Sequence, residues 1–147
     1  MRFPERAVLT CVANLKVGRV SERCIRDVLK YNDVDVTPVI PFLAHTDPMV
    51  RQAAVRIIGE KGDINLLVDV VKKESNKHVL SEAMKALGKR GKGLGELVGI
   101  LETSDSLLKQ EAISMFRKSG EVDHLFALLF DEDLRIVEQV KEYLHGR

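Results

Sequence analysis

Apolar residues recur at helical spacing along this chain, in pairs of stripes separated by a glycine. Val50, Ala53, Ala54, Ile57 and Ile58 form one stripe, and Ile64, Leu67, Val68 and Val71 form a second beyond Gly62. Residues three and four apart share one face of a helix, so each stripe predicts one amphipathic helix and the two together predict a helix pair. The unit then recurs. Aligning Val50-Arg51-Gln52-Ala53-Ala54 with Val79-Leu80-Ser81-Glu82-Ala83 and Leu108-Lys109-Gln110-Glu111-Ala112 puts Ala54, Ala83 and Ala112 in one column and Gly62, Gly91 and Gly120 in another, with steps of 83 − 54 = 29 and 112 − 83 = 29. A constant period in this range marks supersecondary units that bury their apolar faces only against neighbouring copies. A diverged earlier copy sets Ser21 opposite Val50, Ile25 opposite Ala54 and Val28-Leu29 opposite Ile57-Ile58.

Punctuation agrees with the stripes. Asp47 before Pro48 is a helix start, because the carboxylate accepts from orphan N–H groups and proline at the first helical position loses no hydrogen bond. Asn76 and Asp105 or Ser106 are placed to do the same. The glycine column predicts a left-handed turn at the end of each first helix. The alanine column predicts close approach of neighbouring helices where they cross. Pro38 suits an opening turn, but Pro41 removes a hydrogen bond from the second helix of the earliest copy and should shorten or kink it.

These elements predict an all-α fold, a right-handed α–α superhelix of about four and a half helix-pair repeats. The expected layout is a single domain, 1–147: a cap helix at 1–19, repeats at 20–46, 47–75, 76–104 and 105–130, and a second cap helix at 131–147. Solenoid ends need a polar outer face. In the last helix Leu134, Ile136, Val137, Val140, Tyr143 and Leu144 occupy one half of the wheel and Arg135, Glu138, Gln139, Glu142 and His145 the other. In the first, Val8, Cys11, Val12 and Leu15 form one face while Leu9 and Ala13 lie off it. Its reading as a cap leaves a dimer or partner contact as the alternative.

Composition narrows the class. With 147 residues, 45% hydrophobic, 5% aromatic and no Trp, the balance favours helices over sheets. Lys and Arg total 23 against 22 Asp and Glu, so a net charge of +1 gives no global attraction to nucleic acid or anionic membrane. Cys11 and Cys24 have neither disulfide-scaffold nor zinc spacing and read as core thiols. Glu5, Arg6, Asn14 and Lys16 interrupt the apolar run near the start, which leaves no membrane span and points to a soluble, cytoplasmic protein.

The segment Asp47-Pro48-Met49-Val50-Arg51-Gln52-Ala53-Ala54-Val55-Arg56-Ile57-Ile58-Gly59 resembles the HEAT-like repeat consensus, with its Asp-Pro start, Val-Arg step, paired alanines and aliphatic-glycine end. The resemblance is strongest from Asp47 to Phe130. It implies that second helices line a concave face and that the Arg after the Val braces the stack. Leu80 and Lys109 stand at the Arg51 position of the next copies, so a regular ladder of such braces is not expected. Enzymes with similar repeats leave marks that are missing: the deoxyhypusine hydroxylases carry repeated His-Glu pairs, and the alkylbase glycosylases use Trp. Phycobilin lyases share the repeat type, and the sequence offers neither a positive mark for them nor an exclusion.

No catalytic or metal signature emerges. His45, His78, His124 and His145 lack partners at ligand spacing. The glycine-rich run from Gly88 to Gly95 follows a helix and lacks the Gly-Lys-Ser/Thr ending of a phosphate loop. No enzyme activity, metal or cofactor is therefore expected. The expected role is a protein-interaction scaffold, a monomer or weak dimer, that meets another protein through Asp69, Lys72, Lys73, Glu96, Glu102 and His124, the polar residues on or near second helices. The alternative is nucleic-acid binding by a basic ridge of Lys61, Lys89, Arg90, Lys92, Arg117 and Lys118, which stack along the turns at the repeat period. Cations near helix C-termini also complement the helix dipole without any ligand, and that plainer reading competes with the ridge. From Glu121 to Glu142 acids outnumber bases, so charge is polarised along the chain.

Overall fold

The computed structural model describes residues 2–90 and 134–145. Among these, every regular element is helical: α1 (Phe3–Lys16), α2 (Glu22–Leu29), a 3-10 helix η1 (Thr37–Ala44), α3 (Pro48–Lys61), α4 (Asn65–Lys73), α5 (Lys77–Arg90) and α6 (Leu134–His145). α2 and η1 fall within 20–46, and α3 and α4 within 47–75. First helices pack in series, α2 on α3 and α3 on α5, while η1 and α4 both pack on α3.

The helix starts follow the sequence signals. The Asp47 carboxylate accepts the Met49 N–H at 2.9 Å, and the Asn76 side chain accepts from His78 and Val79 at 2.9 and 3.2 Å. Ser21 caps α2 by accepting from Cys24. Asp105 and Ser106 lie outside the described residues. η1 answers the two prolines: with Pro41 inside it, the segment cannot keep an unbroken i→i−4 ladder and is wound as a 3-10 helix instead.

Both stripes of the pattern are buried. On α3 Val50, Ala54, Ile57 and Ile58 have no accessible surface, and Leu67, Val68 and Val71 of α4 form the matching face with Ile64, which precedes that helix. Ala54 and Ala83 are both fully buried on α3 and α5; Ala112 lies outside the described residues. α3 and α5 approach closely at Gly59, where an added Cβ would stand 2.6 Å from the Cβ of Ala86.

The glycine column requires a correction. Gly62 ends α3 with φ −106° and ψ −167°, an extended backbone that any residue adopts, so it makes no left-handed turn. Its lack of a side chain matters sterically, since a Cβ would come within 3.1 Å of the Ile58 side chain. Gly91 and Gly120 lie outside the described residues. The left-handed helix end is at Gly18, φ 74°, where Gly18 N–H donates to Leu15 and Arg19 N–H to Asn14, the paired bonds of a Schellman ending.

Where their side chains are described, the first and last helices keep their predicted faces with one exception. Val8, Cys11, Val12 and Leu15 are buried on α1, while Leu9 and Ala13 are exposed. On α6 Val137 and Val140 are buried and Arg135, Glu138, Gln139, Glu142 and His145 are exposed, but Leu134, at the very start of the helix, is 77% exposed rather than part of the apolar half.

Candidate protein-binding groove

Between the second helices η1 and α4 lies an open groove of about 580 Å³. Ile40, Pro41 and Leu43 line it from η1, and Leu66 and Val70 from α4. Leu66 and Val70 are one turn apart and belong to none of the stripes that form the core. They pack against the edge of the core without being enclosed by it, and both are only half-buried.

Polar groups frame this apolar lining. Asp69 and Lys73, also one turn apart on α4, are exposed, and neither forms a hydrogen bond or ion pair with another described residue. His45 stands at the end of η1 with its ring stacked near Phe42, centroids 6.3 Å apart. Its Nδ1 accepts the Asp47 N–H at 3.0 Å, so the neutral ring carries its proton on Nε2 and retains one N–H to donate.

One end of the groove is closed by a clamp. The Arg51 guanidinium donates from Nε and Nη2 to the two oxygens of Glu74, both at 2.9 Å, and from Nη1 to the carbonyls of His45 and Thr46 at 2.8 and 3.1 Å. Arg51 thereby ties the end of η1 to the turn between α4 and α5. The Glu74 side chain is 7% exposed. Burial by itself would raise its pKa, but hydrogen bonds from Arg51 and from the Asn76 and Ser75 amides, with the Arg51 charge, hold it below the usual value. Glu74 also accepts the Asn76 N–H at 3.0 Å, which links the clamp to the residue that caps α5.

Of the residues singled out for partner contact, Asp69 and Lys73 line the groove, Lys72 is exposed on α4 but does not line it, and Glu96, Glu102 and His124 lie outside the described residues. The basic ridge fares differently. Arg90 turns back onto α3 and donates to the carbonyls of Gly62 at 2.7 Å and Gly59 at 3.4 Å, so its guanidinium serves a helix end of the preceding copy. Lys61 is half-buried and Lys89 exposed; Lys92, Arg117 and Lys118 lie outside the described residues. The apolar lining and the His45 donor escaped the sequence reading. Leu66 and Val70 were legible as apolar residues off the core stripe, whereas the position of His45 depends on how η1 ends.

Among the described residues no three His, Cys, Asp or Glu side chains gather closely enough to hold a metal ion, and no helix is long and apolar enough to cross a membrane. No curated protein matches the chain, and no solved structure does. The family model for HEAT repeats matches residues 36–117, more than half of the chain, and spans η1, α3, α4 and α5. HEAT repeats are generally protein-interaction scaffolds. With its helix pairs, its Asp-Pro helix start and its Arg brace in place, the chain belongs to the HEAT-repeat family.

Proposed function

We propose that this chain is a non-enzymatic scaffold that holds a short segment of another protein in the groove between η1 and α4. The observation that carries this reading is the apolar lining of Ile40, Leu43, Leu66 and Val70 beside two charges, Asp69 and Lys73, that have no partner among the described residues. The occupant is a segment with a few apolar side chains, a cation to meet Asp69 and an anion one turn away to meet Lys73. A volume of about 580 Å³ suits side chains of a peptide, and the charges give the segment a direction.

The same reading extends the helix pairs at their 29-residue period into a right-handed superhelix of about four and a half repeats, with caps at 1–19 and 131–147. Second helices then form the concave face, where Lys72, Glu96, Glu102 and His124 lengthen the contact. The protein works as a monomer or weak dimer, and two free thiols fit a cytoplasmic location. Nucleic-acid binding by the turn ridge is the weaker reading because Arg90 is engaged by α3 carbonyls.

Selection from a displayed library of random peptides tests the groove. Selected peptides should carry apolar residues flanked by opposite charges, and should lose binding to Val70→Arg and to Leu66→Arg while keeping it to Lys89→Gln. Failure to enrich any peptide, or equal binding to all three variants, would count against the groove. Affinity for an oligonucleotide that collapses with added salt and with Lys89→Gln would favour the ridge instead.

A further inference from the structure

We propose that a second groove, between α1 and α2, is a site for a terminal phosphoryl group held by Arg23 and Arg26. This groove, of about 440 Å³, is lined by Thr10 of α1 and by Arg23, Cys24, Arg26, Asp27 and Lys30 of α2. It is separate from the η1–α4 groove and shares no lining residue with it.

Charge in this groove is unbalanced. The one acid in the lining, Asp27, accepts from the Lys30 ammonium at 2.7 Å and forms no ion pair with either guanidinium. Arg23 and Arg26 form no hydrogen bond or ion pair with any described residue. The acid whose field Arg26 feels is Glu22, and both Glu22 oxygens already accept from Arg56 of α3. Residues 2–30 hold seven Lys or Arg and three Asp or Glu, a local excess of four in a chain whose whole excess is one. An anion approaching the molecule is drawn to this end.

Helix stabilisation does not account for Arg23. It stands in the first turn of α2, where the positive end of the helix dipole disfavours a cation. Lys89 and Arg90 in the last turn of α5 have that explanation, as does Arg26 in the last turn of α2; Arg23 lacks it. A bound anion at Arg23 turns that conflict into an attraction, while its hold at Arg26 rests on the guanidinium alone. Spacing of three residues places Arg23 and Arg26 side by side, and two planar donor forks match the oxygens of a phosphoryl group better than the two oxygens of a carboxylate. Thr10 lines the groove from α1 and brings a hydroxyl-bearing residue to it. A dianionic monoester matches the paired charges of the two guanidiniums in this groove.

Arginine Nε–Hε resonances of the full chain, followed at constant ionic strength, test the proposal with four probes: inorganic phosphate, phenyl phosphate, dimethyl phosphate and acetate. Expected is a saturable shift of the Arg23 and Arg26 signals with the first two probes and a response at least about tenfold weaker to the others. Arg23→Gln and Arg26→Gln, both at exposed positions and checked for unchanged helix content, should each weaken phosphate binding about tenfold, with Arg23→Lys between them and wild type. Non-saturating shifts, indifference to these substitutions, or equal response to acetate would overturn the site. Equal or tighter binding of dimethyl phosphate, or of a single-stranded oligonucleotide without terminal phosphates, would replace it with a diester track.

Discussion

Arg51 and Glu74 lie 23 residues apart and face each other through two parallel hydrogen bonds of 2.9 Å. Arg51 lies in the first turn of α3, in the Val-Arg step of the repeat, and Glu74 ends the second helix of the same copy. Their pairing closes the helix pair on itself, and the remaining Arg51 nitrogen reaches back to the carbonyls of His45 and Thr46. A single side chain therefore fixes two consecutive copies at one edge of the η1–α4 groove.

Loss of either clamp partner should be costly. Glu74→Ala leaves a guanidinium that is only 17% exposed without its anion, and Arg51→Ala strands the carboxylate and two carbonyls. Each should lower stability in urea unfolding by about 2–3 kcal/mol. Arg51→Met combined with Glu74→Leu should cost less than the sum of the two single losses, because no charge is left stranded. Strict additivity would show that the two side chains act independently.

Acid should weaken the same clamp. The folded-state pKa of Glu74 lies below its ordinary value of 4.5, so the unfolded chain takes up the proton first as pH falls. Its contribution is fully present above the ordinary value and declines as pH drops through the lowered one. Unfolding midpoints of wild type and Glu74→Gln measured from pH 7 to pH 3 should converge toward acid, by the amount the carboxylate supplies at neutral pH. A constant gap would remove Glu74 from the acid sensitivity.

Gly59 should resist even alanine. Within a helix that change normally gains about 1 kcal/mol, but here the new Cβ would sit 2.6 Å from Ala86. Overpacking of this kind costs about 1–3 kcal/mol, so Gly59→Ala should be net destabilising. Adding Ala86→Gly should recover part of the loss despite its own helix penalty, a reversal that only a direct contact between α3 and α5 produces.

Arg90 should behave as a structural cap. Arg90→Ala frees the carbonyls of Gly62 and Gly59 and should lower the thermal midpoint through a loss of about 1–2 kcal/mol. Lys89→Ala, on an exposed side chain, should leave the midpoint within error. Equal effects would mean that the two cations act only through the helix dipole.

The two thiols should separate by reactivity. Burial, with the neighbouring Cys24 adding to it, pushes the Cys11 thiol up to about 11, so at pH 8 it is protonated as well as enclosed. Iodoacetamide should modify Cys24, which is half-exposed, and reach Cys11 only after denaturant is added. Mass spectrometry of the native protein showing both thiols alkylated at one rate would contradict the buried position of Cys11.

Much of the scaffold was written in local pattern. The stripes on α3 and α4, the caps Asp47 and Asn76 and the break at Pro41 all follow from neighbours a few residues apart, where helix periodicity and missing N–H groups act directly. The left-handed glycine was misplaced, at Gly62 instead of Gly18, because a helix end is also set by what packs against it; at Gly62 the constraints are the Ile58 side chain and the Arg90 guanidinium. Of the candidate partner residues, Asp69 and Lys73 were legible as polar positions on a second helix, and they do line the groove.

By itself the amino-acid order determined the described helices and the side that α3 and α4 bury, since these depend on the spacing of apolar residues a few positions apart. Only the tertiary arrangement decided which charges remain available. It joined Arg51 to Glu74 and Arg56 to Glu22, turned Arg90 onto α3, and left Asp69, Lys73, Arg23 and Arg26 without partners among the described residues. The reason is physical: an ion pair across 23 or 34 residues forms by proximity in space, and no local spacing encodes it.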